Sequence, residues 1–375
     1  MELQEWMEKH ERVSRHLVER EPTDLFFGVV QALDHLQHLF WNDIVDEHGS
    51  GRHTTLIDRC YARVDEIIAH RLALLDGQTT LFLVSDHGFG PVRKWFHVNR
   101  FLQERGWLVL CQPKGRMARL GLTPQTLRRW VRRLDVLRLR RWMGRMARVT
   151  LGRQIDESLT PPVDWSQTQA ISGSPATEGI FVNLRGREPQ GTVEPGEPYE
   201  TLREQLMAEL QALQDPETGE PVITAVYRRE ELYEGPFLEQ LPDVVFDLGP
   251  RPYLASDALA AAQTLEPLPS DHLQGRHRAT GIFVATGSGI HRTTPVKGAR
   301  ILDVAPTILY ALDLPIPEDM DGRPLLEIFA EDYRASHPVR YTSAVETDPD
   351  TADQSLDEQD IAEMERRLRG LGYVS

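Results

Sequence analysis

Apolar and polar positions fall into blocks whose spacing changes along this chain. Residues 2–20 are charged and helix-prone, and Pro22 breaks the run. Residues 24–33, built around the apolar stretch Leu25-Phe26-Phe27-Gly28-Val29-Val30, read as a buried strand. Over 54–75 the apolar positions recur at helical spacing, through Leu56, Ile57, Tyr61, Val64, Ile67, Ile68, Leu72 and Leu75, and Gly77 ends that helix. Thr80-Leu81-Phe82-Leu83-Val84 is the next strand. Strand–helix–strand is the pattern of a parallel sheet, in which ligands bind just past the carboxyl ends of the strands. Residues 163–250 form a mixed α/β region, with strands at 180–184, 222–227 and 243–248 and a helix over 199–213. A strand over 281–286 follows, then a Gly-rich turn and a helix opening at Asp303 with Pro306 in its first turns.

Composition narrows the class of protein. The 375 residues suffice for a large core, and 40% hydrophobic with 26% charged residues is a globular balance. A net charge of −15 argues against a general nucleic-acid binder, whose footprint would be basic. No apolar run approaches the roughly 20 residues of a membrane span. The start, Met1-Glu2-Leu3-Gln4-Glu5, has neither the basic opening nor the apolar stretch of a signal peptide, so a cytoplasmic location is expected. Cys60 and Cys111 make no disulfide framework and lack metal-ligand spacing.

The charge is unevenly spread. Residues 113–153 carry 13 Lys and Arg against one acid, Asp135, leaving −27 on the rest of the chain. Trp130, Leu134, Leu137 and Trp142 interleave with the arginines, which predicts one or two amphipathic helices. A solvated insertion paired with the acidic body is the expectation, and a phosphate-attracting or membrane-surface element the alternative. Residues 344–358 are acidic and poor in large apolar side chains, as in a linker, and 361–371 read as a terminal helix. The expected division is therefore a first part of the core at 1–110, a basic helical insertion at 111–162, the rest of the core at 163–330, and a linker with a terminal helix at 331–375.

Three clusters carry candidate chemistry. Asp34-His35-Leu36-Gln37-His38 follows the first strand, Ser85-Asp86-His87-Gly88 follows the second, and His277 precedes the strand over 281–286. On a helix, Asp34 and His38 lie four apart and so share a face, within reach of one cation. Asp86 and His87 are adjacent and can both ligate only from a non-helical turn, which Gly88 and Gly90 would permit. Mixed carboxylate and imidazole ligands suit Zn²⁺, Mn²⁺ or Fe rather than Ca²⁺. His272, beside Asp271, and His97 are alternative donors, while His48, His53, His70 and His291 lack sequence partners and read as solvated.

The chain resembles the type I phosphodiesterase and nucleotide pyrophosphatase family, a branch of the alkaline phosphatase superfamily. The resemblance rests on "ALDHLQHLFW", "LVSDHGFG", "GRHRATGIFVATGSGI" and "ILDVAPTILYALDLPIPEDMDGRPL", and spans most of residues 24–330. It implies an α/β fold with a mixed, mainly parallel sheet between helices, incomplete at the amino terminus. It implies two divalent ions, zinc foremost and manganese or iron next. Asp34, His38 and His277 would hold one, and Asp86 and His87 would help hold the other. The substrate implied is a small phosphorylated molecule such as a nucleotide or phosphodiester. The family's further Asp and its Ser or Thr nucleophile lie upstream of the matched segment, so the nucleophile is expected to be missing from this chain. The alternative expectation is a catalytically inactive fragment that binds metal or a partner. A sulfatase is disfavoured, since Cys60 precedes Tyr-Ala-Arg and Cys111 precedes Gln-Pro-Lys, neither a Cys-x-Pro-x-Arg setting.

Overall fold

The computed structural model describes residues 2–20, 23–45, 51, 53–111, 162–173, 178–269, 273–291 and 295–343. The basic stretch at 113–153, the acidic linker and the terminal helix at 361–371 all lie outside them, as do His48 and His272. The described chain is mixed α/β and divides into two compact units. The first comprises 1–14, 28–66 and 87–282, and the second 15–27, 67–86 and 283–375.

The first unit opens with α1 (Glu2–Arg20), α2 (Ala32–Ile44) and α3 (Thr54–Ala73), of which α1 and α3 continue into the second. Met7, Ala32, Leu36, Ile57 and Cys60 close a small core between them. Leu36 is completely buried, a contribution of about 1.5–3 kcal/mol. With Ala32, Leu36, Phe40 and Ile44 recurring every four residues on the core side of α2, Asp34 and His38 fall on a neighbouring stripe.

That stripe meets a two-stranded ladder. β2 (Gly88–Pro91) pairs antiparallel with β10 (Gly275–Arg278), placing His277 opposite Phe89 and Arg278 opposite Gly88. Gly88 and Gly90 thus belong to a strand, which corrects the expected turn. Neither has a positive φ; what they provide is space. A Cβ on Gly88 would overlap the Thr280 carbonyl oxygen, and one on Gly90 would overlap the Arg278 guanidinium. Because the obstruction at Gly88 is backbone, Gly88→Ala is expected to cost about 1–3 kcal/mol of stability, read as a lowered urea midpoint. An unchanged midpoint would refute the close approach.

The larger core of this unit is built on two further sheets. β3 (Lys94–His97) pairs parallel with β8 (Tyr253–Ser256) and antiparallel with β9 (Leu265–Pro267). The other sheet has the order β4-β5-β7-β6, from β4 (Ala170–Ile171), β5 (Gly179–Val182), β6 (Ala225–Arg228) and β7 (Val244–Asp247). Phe96, Phe246, Ile180 and Leu248 pack there with Phe101 and Leu102 of α4 (Val98–Glu104) and Leu206 and Leu210 of α5 (Glu197–Gln211). The four-residue α6 (Arg229–Leu232) follows β6.

Two buried carboxylates tie this region. Asp243, fully buried, accepts from both Nη atoms of Arg187 at 2.7 Å, from the Tyr199 hydroxyl at 2.6 Å and from the Val182 amide at 2.6 Å. Asp215 accepts from Lys94 Nζ and the Tyr253 hydroxyl. Burial, with the Asp215 carboxylate beside it, pushes the Tyr253 hydroxyl up to about 12.

In the second unit β1 (Thr80–Val84) pairs antiparallel with β11 (Phe283–Gly287). Tyr310, Ile316, Leu325, Ile328 and Phe329 form its core. α7 (Val304–Ala311) opens at Asp303, as expected, and the reason is hydrogen bonding. The buried Asp303 carboxylate accepts from the Arg300 and Arg323 amides, while the Thr307 hydroxyl donates to the Asp303 carbonyl and accepts from the Leu325 amide. β12 (Ile316–Pro317) pairs parallel with β13 (Tyr341–Thr342), and α8 (Glu331–Ser336) lies between them in the chain.

Two expectations about the sheet are corrected. Residues 24–33 form no strand: the segment makes no ladder, Leu25, Phe26, Phe27 and Val29 are exposed, and α2 begins at Ala32. Without that first strand the strand–helix–strand unit is not completed, and β1 takes an antiparallel partner instead. Among the described ladders only β3–β8 and β12–β13 are parallel, so the pairing is mostly antiparallel rather than mainly parallel.

Candidate metal centre

Four of the five expected ligands meet in the first unit. Asp34 sits in the first turn of α2, where the unsatisfied amides of a helix start favour a carboxylate. Its Oδ1 lies 3.1 Å from His277 Nε2, 3.6 Å from His38 Nε2 and 3.7 Å from His87 Nε2. His38 Nε2 and His277 Nε2 are 3.0 Å apart, and the His87 ring stacks on His277 at 3.5 Å between centroids. Ligand atoms of Asp34, His87 and His277 all lie within 4.8 Å of one another. The grouping therefore runs across the two sets drawn from the family resemblance, with His87 beside Asp34 and His277. Asp86, exposed beyond β1, is the last residue of its segment in the second unit and is not one of the converging residues.

The tautomer of His38 is fixed by its neighbour. Its Nδ1–H donates to the Gly275 carbonyl at 2.9 Å, so in the neutral ring Nε2 carries a lone pair. Burial is the main influence on His38 and lowers its pKa; the Gly275 carbonyl and Asp34 oppose this, and His277 adds to it, leaving the ring net below its usual range. Asp34 is opposed by burial, which the hydrogen bond from His277 and the charges of His38, His277 and His87 outweigh, holding its carboxyl below the usual range. His277 Nε2 lies within hydrogen-bonding distance of both Asp34 Oδ1 and His38 Nε2. Carboxylate and imidazole lone pairs converging in this way suit a divalent cation of the zinc type. The His277 side chain is 40% exposed against 18% for Asp34, so the cluster opens to solvent on the His277 side.

Phe89 organises the rings. Its edge-on contacts reach His38, His277 and His87 at 4.8, 5.1 and 5.4 Å between centroids. On the other face of β10, Arg276 bonds the Tyr253 carbonyl and pairs with Glu178 at 3.0 Å. Arg278 donates to the carbonyls of Pro91, Gly249 and Arg251. Burial and the charge of Arg276 bring the Arg278 guanidinium down to about 10, still cationic at neutral pH. Phe89, Gly275, Arg276 and Arg278 escape a search for ligand types. Their sequence signal is adjacency: three flank His277, and Phe89 stands between the two small residues of Gly-Phe-Gly.

The remaining histidines lie elsewhere. His97 is buried at the end of β3, 3.7 Å from Glu266. His53 and His70 do have partners, Asp43 at 2.6 Å and Glu19 at 3.0 Å, which corrects the expectation that they lack them, while His53 is exposed as expected. Tertiary approach supplied carboxylates that the local sequence does not show.

Comparison with protein families matches residues 2–264 to the model for type I phosphodiesterase / nucleotide pyrophosphatase. The chain belongs to this family. Neither the curated proteins nor the solved structures gave a significant match. The family hydrolyses phosphodiester bonds, acts on nucleotide and phosphodiester substrates and generally uses divalent metals. Asp34, His38, Asp86 and His87 lie inside the matched range, as does β2, whereas His277 and its own strand β10 lie beyond it. Among the described residues no helix is long and apolar enough to cross a membrane.

Proposed function

We propose that this protein is a metal-dependent hydrolase of phosphodiester or pyrophosphate bonds in a small phosphorylated substrate such as a nucleotide. The observation that carries this reading is the meeting of one carboxylate and three imidazoles at a solvent-open point in a chain of this family. Asp34, His38 and His277 are proposed to hold one divalent ion and Asp86 with His87 the other, zinc being favoured over manganese or iron. A bound pair of divalent ions would lower the pKa of an attacking hydroxyl and offset negative charge on the phosphate oxygens. The protein's own part is positional. Gly275 keeps the Nε2 lone pair of His38 available, α2 and β10 bring Asp34 and His277 together, and Phe89 limits the tilt of the rings.

None of the four converging side chains carries an alcohol. We accordingly propose that the Ser or Thr nucleophile of the family pattern is not in the sequence given. An inactive fragment that binds metal or a partner is the second reading favoured by the same observation. Bis-(p-nitrophenyl) phosphate with added Zn²⁺ or Mn²⁺ separates the cases. Metal-dependent turnover by this polypeptide would show that it supplies its own attacking group. Metal uptake without turnover would place that group elsewhere, and no uptake at all would refute the centre.

A further inference from the structure

Helix α2 is not continuous. Phe40, with φ −128° and ψ 24°, departs from helical geometry midway between His38 and Asn42. A regular helix joins the carbonyl of residue 38 to the amide of residue 42. Here both groups bond to one residue from outside the helix. The Gln274 amide donates to the His38 carbonyl at 2.7 Å, and the Asn42 amide donates to Gln274 Oε1 at 3.1 Å. Insertion of an outside group into the helical ladder is a recognised cause of a kink. The next residue, Gly275, accepts the His38 Nδ1–H at 2.9 Å and lies so close to α2 that a Cβ there would overlap the Gln37 carbonyl. Two residues further on comes His277.

We propose that Gln274 is a positioning residue: inserted between the carbonyl of residue 38 and the amide of residue 42, it kinks α2 and sets His38 against His277. The inference rests on the metal-centre reading for its consequence but on backbone geometry for its content. Three hydrogen bonds from consecutive residues, two from Gln274 and one from Gly275, fix the height and rotation of His38 relative to β10. With the side-chain acceptor gone, the Asn42 amide loses its anchor outside the helix and the His38 carbonyl is the partner that helical geometry offers it; the helix is then expected to straighten there and His38 to turn away from β10. Arg276 and Arg278 secure the opposite face of β10, so the strand stays while the helix moves.

The test uses the full chain with Co²⁺ as the probe. Gln274→Met keeps the length and removes the acceptor, whereas Gln274→Glu retains an acceptor oxygen. The expected result is Co²⁺ affinity about 10–100-fold weaker in Q274M, with an altered visible spectrum, as for loss of a group that orients a ligand. Q274E should remain close to the parent in both. Parent-like affinity and spectrum in Q274M would overturn the inference while leaving the metal centre intact. If the parent itself takes up no Co²⁺, the metal-centre reading fails, and a crystal structure of Q274M then decides the positional claim. A His38–His277 Nε2 separation still at 3.0 Å would overturn it, and a widened one would sustain it. Should Q274M not fold, Gln274→Asn, one methylene too short to reach the Asn42 amide, takes its place in each measurement.

Discussion

Asp34→Ala is expected to weaken Zn²⁺ or Co²⁺ binding by more than about 100-fold, beyond what loss of a second-layer partner costs. Any metal-dependent phosphodiester hydrolysis should disappear with it. The size of the effect follows from where Oδ1 sits, within 3.7 Å of all three imidazole Nε2 atoms. Its carboxylate is the only negative charge among the four converging groups, so its loss removes both a ligand and the charge that balances a dication. Because the folded state holds the Asp34 carboxyl below its usual range, the substitution should also lower stability somewhat at neutral pH. Isothermal titration with Zn²⁺ into the variant and the parent measures it. Unaltered affinity, or undiminished turnover where the parent shows turnover, would refute the assignment of Asp34. His277→Ala should weaken metal in the same direction, through loss of a ligand alone.

Asp243→Ala is the substitution expected to cost most stability, about 3–5 kcal/mol, because it leaves a buried cation without its partner. Arg187 donates to both carboxylate oxygens, and Arg229 stands 3.3 Å away. The Tyr199 hydroxyl and the Val182 amide lose their acceptor at the same time. Chemical denaturation should show a lower midpoint, and a change under about 1 kcal/mol would mean that the network relaxes instead. The pH dependence has a definite sign. Burial works to raise the Asp243 pKa, but hydrogen bonds from Arg187, Tyr199 and Val182 with the charge of Arg187 win, leaving it lowered in the folded state. A lowered folded pKa means that its stabilisation is complete above the unfolded value of about 4 and is lost as pH falls through the folded value. The acid limb of the stability profile should therefore flatten in Asp243→Asn, which keeps the shape and removes the titration.

Much of the local structure was readable in the order of residues. The helical spacing of Leu56, Ile57, Val64 and Ile67 marks α3, and short apolar runs mark β1, β5, β6, β7 and β11. The i, i+4 spacing of Asp34 and His38 puts both on one face of α2, since that depends only on helical pitch. Ligand type also belongs to the sequence, because carboxylate and imidazole chemistry travels with the residue. The same reasoning failed at 24–33, where an apolar run said "strand" but a strand exists only once a partner accepts its hydrogen bonds.

Tertiary structure decided what brings the candidate ligands together. Nothing local pairs β10 with β2, yet that ladder sets His277 against Phe89 and behind it Arg278 against Gly88. A glycine in a sequence does not say whether it is there for a positive φ or for room, and at Gly88 and Gly90 the answer is room. Nor does Gln274 look like anything but a surface amide until it is found bonded to the His38 carbonyl and the Asn42 amide. The sequence therefore determined the faces and the types of candidate ligand, because these depend on pitch and side-chain chemistry. The structure alone determined register and close approach, because these are contacts between segments that periodicity along one segment does not encode.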